Sequence, residues 1–314
     1  MAIDEIDIEI PKARSLYKSS AHTVRNLLRE IAKGKRTEIS ELHEMVDELF
    51  HSTQRNPHAL LCLCQSNVSD DKLAMHCLNT CIINCAFSLA LGHSVTEIKA
   101  LALGGLFADV GKFRIPQEVL FKTSPLSSEE EVLVKNHVKL SYALIARIPK
   151  VSDLTLQAIL DHHELVDGSG YPSGKSTDSI SLSGKITAIS DTYDRLINGG
   201  AEKIPEEPTD AIKKMMSWTT KRLDKKLMEK FVQFMGIYPV GTLVVLNNGQ
   251  LSVVLKQNPE SLLLPTVRTI FDMKKKSMLE DREVINPGAS GLKVLTHAKR
   301  NTYKINPLSA LGKA

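Results

Sequence analysis

Apolar residues along the first three quarters of the chain recur at intervals of three and four, the period of a helix that buries one face. Leu27, Leu28 and Ile31, then Ile39, Leu42, Met45, Val46, Leu49 and Phe50, carry this pattern, and most of residues 20–235 reads as helix. Polar punctuation between the apolar runs marks the element ends. Asn56-Pro57 restarts the chain, and Ser69-Asp70-Asp71 predicts a cap for a long helix beginning near Lys72. Ser94 or Thr96 caps the next helix, which runs toward Gly111 as a natural stop. Ser127-Ser128-Glu129-Glu130-Glu131 sets a cap and an acidic first turn ahead of a helix over Val132 to Ile148. Further helices are expected at about 153–165, 181–197, 207–219 and 224–235.

The period then shortens to that of strands. Thr242 to Leu246 and Leu251 to Leu255 flank Asn247-Asn248-Gly249-Gln250, and Asn-Gly between β-branched runs predicts a hairpin. Thr266 to Phe271 and Leu292 to Thr296 are further strand candidates. The expected fold class is therefore mainly α, with a small C-terminal β-rich subdomain beginning near Gly236-Ile237-Tyr238-Pro239. The domains are placed at 1–54 (a helical module), 55–236 (the main helical domain), 237–302 (the β-rich subdomain) and 303–314 (a loose tail).

Composition narrows the function classes. With 314 residues, 42% hydrophobic and 24% charged, the chain is ordinary for a globular protein. Lys plus Arg (40) exceed Asp plus Glu (36) by too little to argue for DNA or a membrane surface. Cys77, Cys81 and Cys85 lie on one helical stripe, where thiols act as small apolar residues, and the pattern predicts a reducing cytoplasm. Cys77 to Thr96 carries no charged residue and is about long enough to span a bilayer, but Asn79, Thr80, Asn84 and Gly92 favour a helix buried in a bundle. No signal peptide and no membrane span is expected.

The candidate chemistry lies in a series of imidazoles and carboxylates: His76, Asp109 in Ala108-Asp109-Val110-Gly111-Lys112, His137, His162-His163-Glu164 and Asp191. These groups suit Fe, Mn or Zn, and one carboxylate can bridge two cations. Two such ions polarise a phosphodiester, generate hydroxide and steady the leaving oxygen. A helical bundle supplies such sites from facing helices. Taken singly, each residue has a plainer reading: His76 a core histidine, His137 a surface one, His162 and His163 one buried and one exposed, Asp191 a cap. The joint order and the Gly-Ser-Gly segment after it shift the balance.

His162-His163-Glu164-x-x-Asp167-Gly168-x-Gly170-Tyr171-Pro172 resembles the signature of the HD-GYP family of metal-dependent HD-domain phosphohydrolases, over about residues 55 to 240. The resemblance implies an HD-domain helical bundle holding divalent ions, usually iron or manganese. It implies hydrolysis of cyclic di-GMP, or a related cyclic dinucleotide, to linear pGpG and sometimes GMP in the bacterial cytoplasm. By motif position His76, Asp109, His137, His162, His163 and Asp191 match metal ligands, with Asp109 the bridge. Lys112 matches a lysine near the scissile phosphate. Gly168, Gly170, Tyr171 and Pro172 match a loop that flanks substrate and contacts partner proteins, here a diguanylate cyclase or effector. The departures are specific. The namesake histidine is Ala108, which removes a ligand of the first metal. Lys72 stands where a third-metal glutamate would, so a binuclear centre is expected. A phosphate-binding arginine is missing near Gly200-Ala201-Glu202-Lys203, leaving Lys203 as the basic residue and Arg195 as a substitute. Two readings follow: a cyclic-dinucleotide phosphodiesterase with a weakened first-metal site, or a degenerate relative that binds nucleotide, metal or a partner without turnover. Hydrolysis of free nucleotides, as in other HD-domain proteins, leaves the Gly-Tyr-Pro loop unused.

Overall fold

The computed structural model describes residues 5–35, 39–65, 71–199, 204–300 and 302–311. Its centre is α4 (Lys72–Ala90), capped by the Asp71 carboxylate, which accepts from Ala74 N. α4 is long and apolar enough to cross a membrane, yet most of it is buried by protein. Its polar residues join neighbours: Asn84 Nδ2 donates to Leu101 O at 2.8 Å and to Thr187 Oγ1 at 2.9 Å. Cys77, Cys81 and Cys85 are fully buried free thiols on its apolar face.

Around α4 pack α1 (Ile6–Ala32), α2 (Ser40–Arg55), α3 (Ala59–Cys64) and α5 (Val95–Phe107). Buried Glu9 on α1 accepts two bonds from Arg55 and one from Ser52, clamping α1 to α2. After the short α6 (Gln117–Leu120) come α7 (Ser128–Lys135), α8 (His137–Ile145), α9 (Asp153–Asp161), α10 (Leu182–Asn198), α11 (Pro208–Ser217) and α12 (Lys225–Met235). The expected caps form: Ser94 with Glu97, and Ser127 with Glu130, both make reciprocal capping boxes.

Two helices differ from expectation. α5 stops at Phe107, and a 3-10 turn, Val110–Arg114, follows. Gly111 is thus not a helix stop. It is a contact point, because a Cβ there would lie 2.3 Å from His137 O and 2.9 Å from Ser141 N. The helix expected over Val132 to Ile148 is two. α7 buries no residue, whereas α8 buries His137, Val138, Ser141, Leu144 and Ile145, and the break at Asn136 separates the two faces.

The C-terminal strands are β1 (Leu243–Leu246), β2 (Gln250–Lys256), β3 (Thr266–Asp272), β4 (Ser277–Met278), β5 (Val284–Ile285) and β6 (Val294–His297). They form one antiparallel sheet in the order β4-β3-β2-β1-β6, with β5 also on β3. The Asn-Gly hairpin joins β1 to β2, with Gly249 at φ 86°. The sheet shares one apolar core with the helices. Arg268 of β3 donates to both oxygens of Asp7 on α1, at 3.1 and 2.6 Å, and to Ala310 O at 2.9 Å. Within the described tail residues, Ile305, Ala310 and Leu311 are buried against the apolar core and Arg268.

Candidate metal centre

Asp109 sits just past the end of α5, in the turn between Ala108 and the 3-10 segment. Close packing of Gly111 on α8 brings His137 to it, with Gly111 N donating to Ser141 Oγ at 2.8 Å. His162 and His163 follow the end of α9, His76 lies one turn into α4, and Asp191 projects from α10. The structure gathers these six into two sets that share Asp109. Asp109, His137, His162 and His163 form one; His76, Asp109 and Asp191 form the other. In each set the ligand atoms lie within 4.8 Å of one another. His162 and His163 are both buried, at 2% and 8% exposure, so neither is the surface residue that a plainer reading allowed.

In the first set the backbone chooses the tautomer. His137 Nδ1 lies 2.6 Å from Val134 O and His162 Nδ1 2.7 Å from Ile159 O. A carbonyl only accepts, so each Nδ1 carries the proton and each Nε2 presents a lone pair. His137 Nε2 then faces Asp109 Oδ1 at 3.0 Å, and His162 Nε2 faces it at 3.6 Å. Acceptors this close repel unless a cation lies between them. Asp109 Oδ1 and the Nε2 atoms of His137, His162 and His163 are buried without a hydrogen-bond partner, which is the donor set a divalent ion requires. Fe, Mn and Zn all fit three imidazoles and a carboxylate.

The electrostatics agree. Burial, reinforced by the Lys112 charge, holds His137 down to about 4, and burial beside His162 and Arg195 holds His163 well below the usual imidazole range. Both rings are neutral near pH 7. Burial pushes Asp109 up, but the Lys112 charge outweighs it and keeps the carboxyl ionised. In the second set His76 Nε2 lies 3.1 Å from Asp109 Oδ2 and 3.0 Å from Asp191 Oδ1. Burial disfavours a proton on His76, yet Asp109, Asp191 and Asp194 together raise it well above its ordinary value. Burial likewise raises Asp191, but the Arg195 charge and His76 bring it down to about 2.

These values predict an acid lability. An unfolded imidazole takes its proton near 6.5, whereas folded His137 resists to about 4, so stability present above that window is lost as pH falls through it. His76 has the opposite sign, and its contribution is already complete below 6.5, so it offers no offset. His137 accounts for up to about 3 kcal/mol at the lower end. The melting temperature of metal-stripped protein should therefore fall between about pH 6.5 and 4.5, and fall less in His137→Gln. A flat profile contradicts the assignment.

Further residues support the candidate ligands, and of these Asp194 is the one that sequence reading passed over. Asp194 accepts from His76 Nδ1 across 2.7 Å, and Asn79 and Asn198 donate to its other oxygen at 2.8 and 2.7 Å. Its spacing of three from Asp191, on the same helix face, was the available signal. Buried Glu164 accepts from Ser173 N at 2.7 Å and Lys175 N at 2.8 Å, and so shapes the loop. Gly170 fits only as glycine, since a Cβ would lie 2.3 Å from Leu165 N. Tyr171 stacks on His163 with centroids 4.7 Å apart.

Four of the six, His76, Asp109, His162 and His163, line a cavity of about 700 Å³ together with Lys112, Phe121, Arg195, Trp218 and Arg222, while His137 and Asp191 lie behind that wall. Lys112 Nζ lies 2.6 Å from Asp109 Oδ2. Gly168, Gly170, Tyr171 and Pro172 stand behind the imidazoles and are not part of that cavity wall, although Leu165 is. Lys203 lies outside the described residues.

Residues 18–227 match the HD domain family. The chain is 32% identical over 286 residues to the cyclic di-GMP phosphodiesterase PA4108 of Pseudomonas aeruginosa, covering 91% of this chain and 69% of that one. It is 28% identical over 144 residues to a cyclic di-GMP phosphodiesterase of Thermotoga maritima, and 24% identical over 197 residues to the cyclic di-GMP phosphodiesterase PdeB of Borreliella burgdorferi. It spans 39% and 52% of the length of those two proteins. The solved structure of Bd1817, an HDG"Y"P protein from Bdellovibrio bacteriovorus, superposes with a TM-score of 0.60 at 17% identity over 71% of each chain, a likeness of fold alone. With more than half of its residues inside the family match, the chain belongs to the HD domain family, and its homologues are cyclic-dinucleotide phosphodiesterases.

Proposed function

We propose that the protein is a metal-dependent phosphodiesterase that opens cyclic di-GMP, or a related cyclic dinucleotide, to a linear product. The observation that carries this reading is Asp109, shared by two sets of candidate ligands and itself lining the cavity with His76, His162 and His163. His76, Asp109, His137, His162, His163 and Asp191 would hold iron or manganese there, which would supply Lewis-acid chemistry to polarise the phosphodiester and lower the pKa of water. The chain's own groups do the rest. Lys112, fixed by Asp109, directs an ammonium into the cavity where negative charge develops. Phe121 and Trp218 line the same cavity, and the Arg222 guanidinium lies 4.9 Å over Trp218, a surface on which a purine stacks.

A second basin joins this cavity along Lys72, Leu73, Lys112, Leu120 and Phe121. Arg29, Lys33 and Arg114 also line it, with Arg29 paired to Asp71 and Lys33 to Glu30, so that Lys72 and Arg114 carry its surplus charge. This excess of positive charge suits the second phosphate of the dinucleotide. Lys72→Glu should raise KM for cyclic di-GMP about five- to tenfold at low salt, with the difference shrinking as salt rises. An unchanged KM removes the basin from substrate binding.

The direct test loads the protein anaerobically with Fe(II) or Mn(II) and follows cyclic di-GMP by chromatography. Linear product supports the enzyme. The methyl of Ala108, buried where it donates no ligand, favours a second reading: a module that binds nucleotide without turnover and docks a diguanylate cyclase or effector through Gly168–Pro172. Tight binding without product under either metal would select it. The five buried free thiols suit the bacterial cytoplasm for both readings.

A further inference from the structure

The two ligand sets are unequally available to an ion. In the four-residue set the donor atoms converge unpaired: Asp109 Oδ1 and the Nε2 atoms of His137, His162 and His163 have no hydrogen-bond partner. In the three-residue set Asp191 Oδ2 also lacks a hydrogen-bond partner, but there the carboxylates face resident cations rather than neutral imidazole lone pairs. His76 Nε2 lies between Asp109 Oδ2 and Asp191 Oδ1, its Nδ1 contacts Asp194, and Lys112 Nζ holds Asp109 Oδ2. The remaining oxygen of Asp191 is paired with the guanidinium of Arg195. That pairing is built into the helix, because Arg195 follows Asp191 by four positions on α10 and shares its face.

We infer that the centre is asymmetric by construction: Asp109, His137, His162 and His163 form the tight ion site, and Arg195 acts as a resident cation that keeps a second ion weak at His76, Asp109 and Asp191. This rests on the phosphodiesterase reading only in taking the cluster to be a metal centre. Charge supports it. Two fixed cations, Lys112 and Arg195, face the two carboxylates of the three-residue set, so a divalent ion entering there meets positive charge and must displace a guanidinium. Ligand number supports it as well, since the set has three donors and Ala108 adds none. Arg195 lines the cavity beside Lys112, and so offers a substrate phosphate the charge that a second ion would otherwise supply.

The experiment uses the full chain, loaded anaerobically with Mn(II), desalted, and read by elemental analysis and electron paramagnetic resonance. The expected result is about one manganese per chain with an uncoupled spectrum. Arg195→Gln should tighten a second Mn(II) by at least about tenfold, and Arg195→Gln with Ala108→His should retain two ions with a coupled spectrum. His76→Ala should keep the tight ion, whereas His163→Ala, backed by the milder His163→Gln and by thermal melts, should release it. Two ions of like affinity in the wild type overturn the inference, as does loss of the tight ion from His76→Ala. A wild type that holds no ion overturns it together with the phosphodiesterase reading. One ion without turnover of cyclic di-GMP supports the asymmetry and removes only that reading.

Discussion

Asp109→Asn is expected to release bound metal and to lower hydrolysis of cyclic di-GMP by about 10²–10³-fold or more. The substitution keeps size and shape but removes the charge from the one side chain common to both ligand sets. It also turns one end of the group from acceptor into donor. Whichever way the carboxamide points, its NH₂ faces either Lys112 Nζ, 2.6 Å from Oδ2, or the imidazoles of His137 and His162 around Oδ1. The first orientation opposes two donors, and the second covers the lone pairs that would bind the ion. Lys112 is 9% exposed and loses its counter-charge, so some loss of stability accompanies the change. A thermal melt beside the metal and turnover assays separates unfolding from a folded, metal-free protein. Metal retention with turnover within about tenfold of wild type would show that Asp109 is not the shared ligand.

The second large effect comes from a residue with no side chain. Gly111→Ala adds a methyl 2.3 Å from His137 O, 2.9 Å from Ser141 N and 3.0 Å from Leu140 Cβ. Two of these are backbone atoms of one helix, so no rotamer change relieves the overlap, and α8 must move away from the 3-10 turn. His137 moves with it, and the bond from Gly111 N to Ser141 Oγ is strained. The expected cost is about 1–3 kcal/mol of stability, with metal affinity reduced about 10–100-fold, the scale seen when a ligand's support is disturbed. Calorimetric Mn(II) titration and thermal denaturation measure the two parts. A variant with wild-type values in both would mean that the close approach does not position His137.

Local signals carried the helices and the hairpin. Three- and four-residue spacing, the Ser94 and Ser127 caps and Asn248-Gly249 act within a few residues, so a linear reading finds them. The same holds for the buried thiol stripe of α4. The six candidate ligand positions were legible through their resemblance to a family signature, and the structure draws them together, although they come from α4, α8, α10 and two turns.

Other features depend on contacts between residues far apart along the chain. Ser127 and its glutamates announced a helix start, but nothing nearby announced the break at Asn136, which answers to the burial of α8 rather than to propensity. Gly111 read as a helix stop because glycine has that local meaning, and its actual role comes from a helix thirty residues on. Burial of Ile305, Ala310 and Leu311 had no local signal, since Arg268 and the apolar core that meet them come from elsewhere in the chain. Asp194 looked like an ordinary acidic residue, and the role of Glu164 within its motif was open, since what a carboxylate does depends on which donors the fold brings within about 3 Å. The chemistry of the groups was thus written in their types and order, while partner, tautomer and charge balance arose when packing set the distances, because those forces fade within a few ångströms and have no counterpart along an unfolded chain.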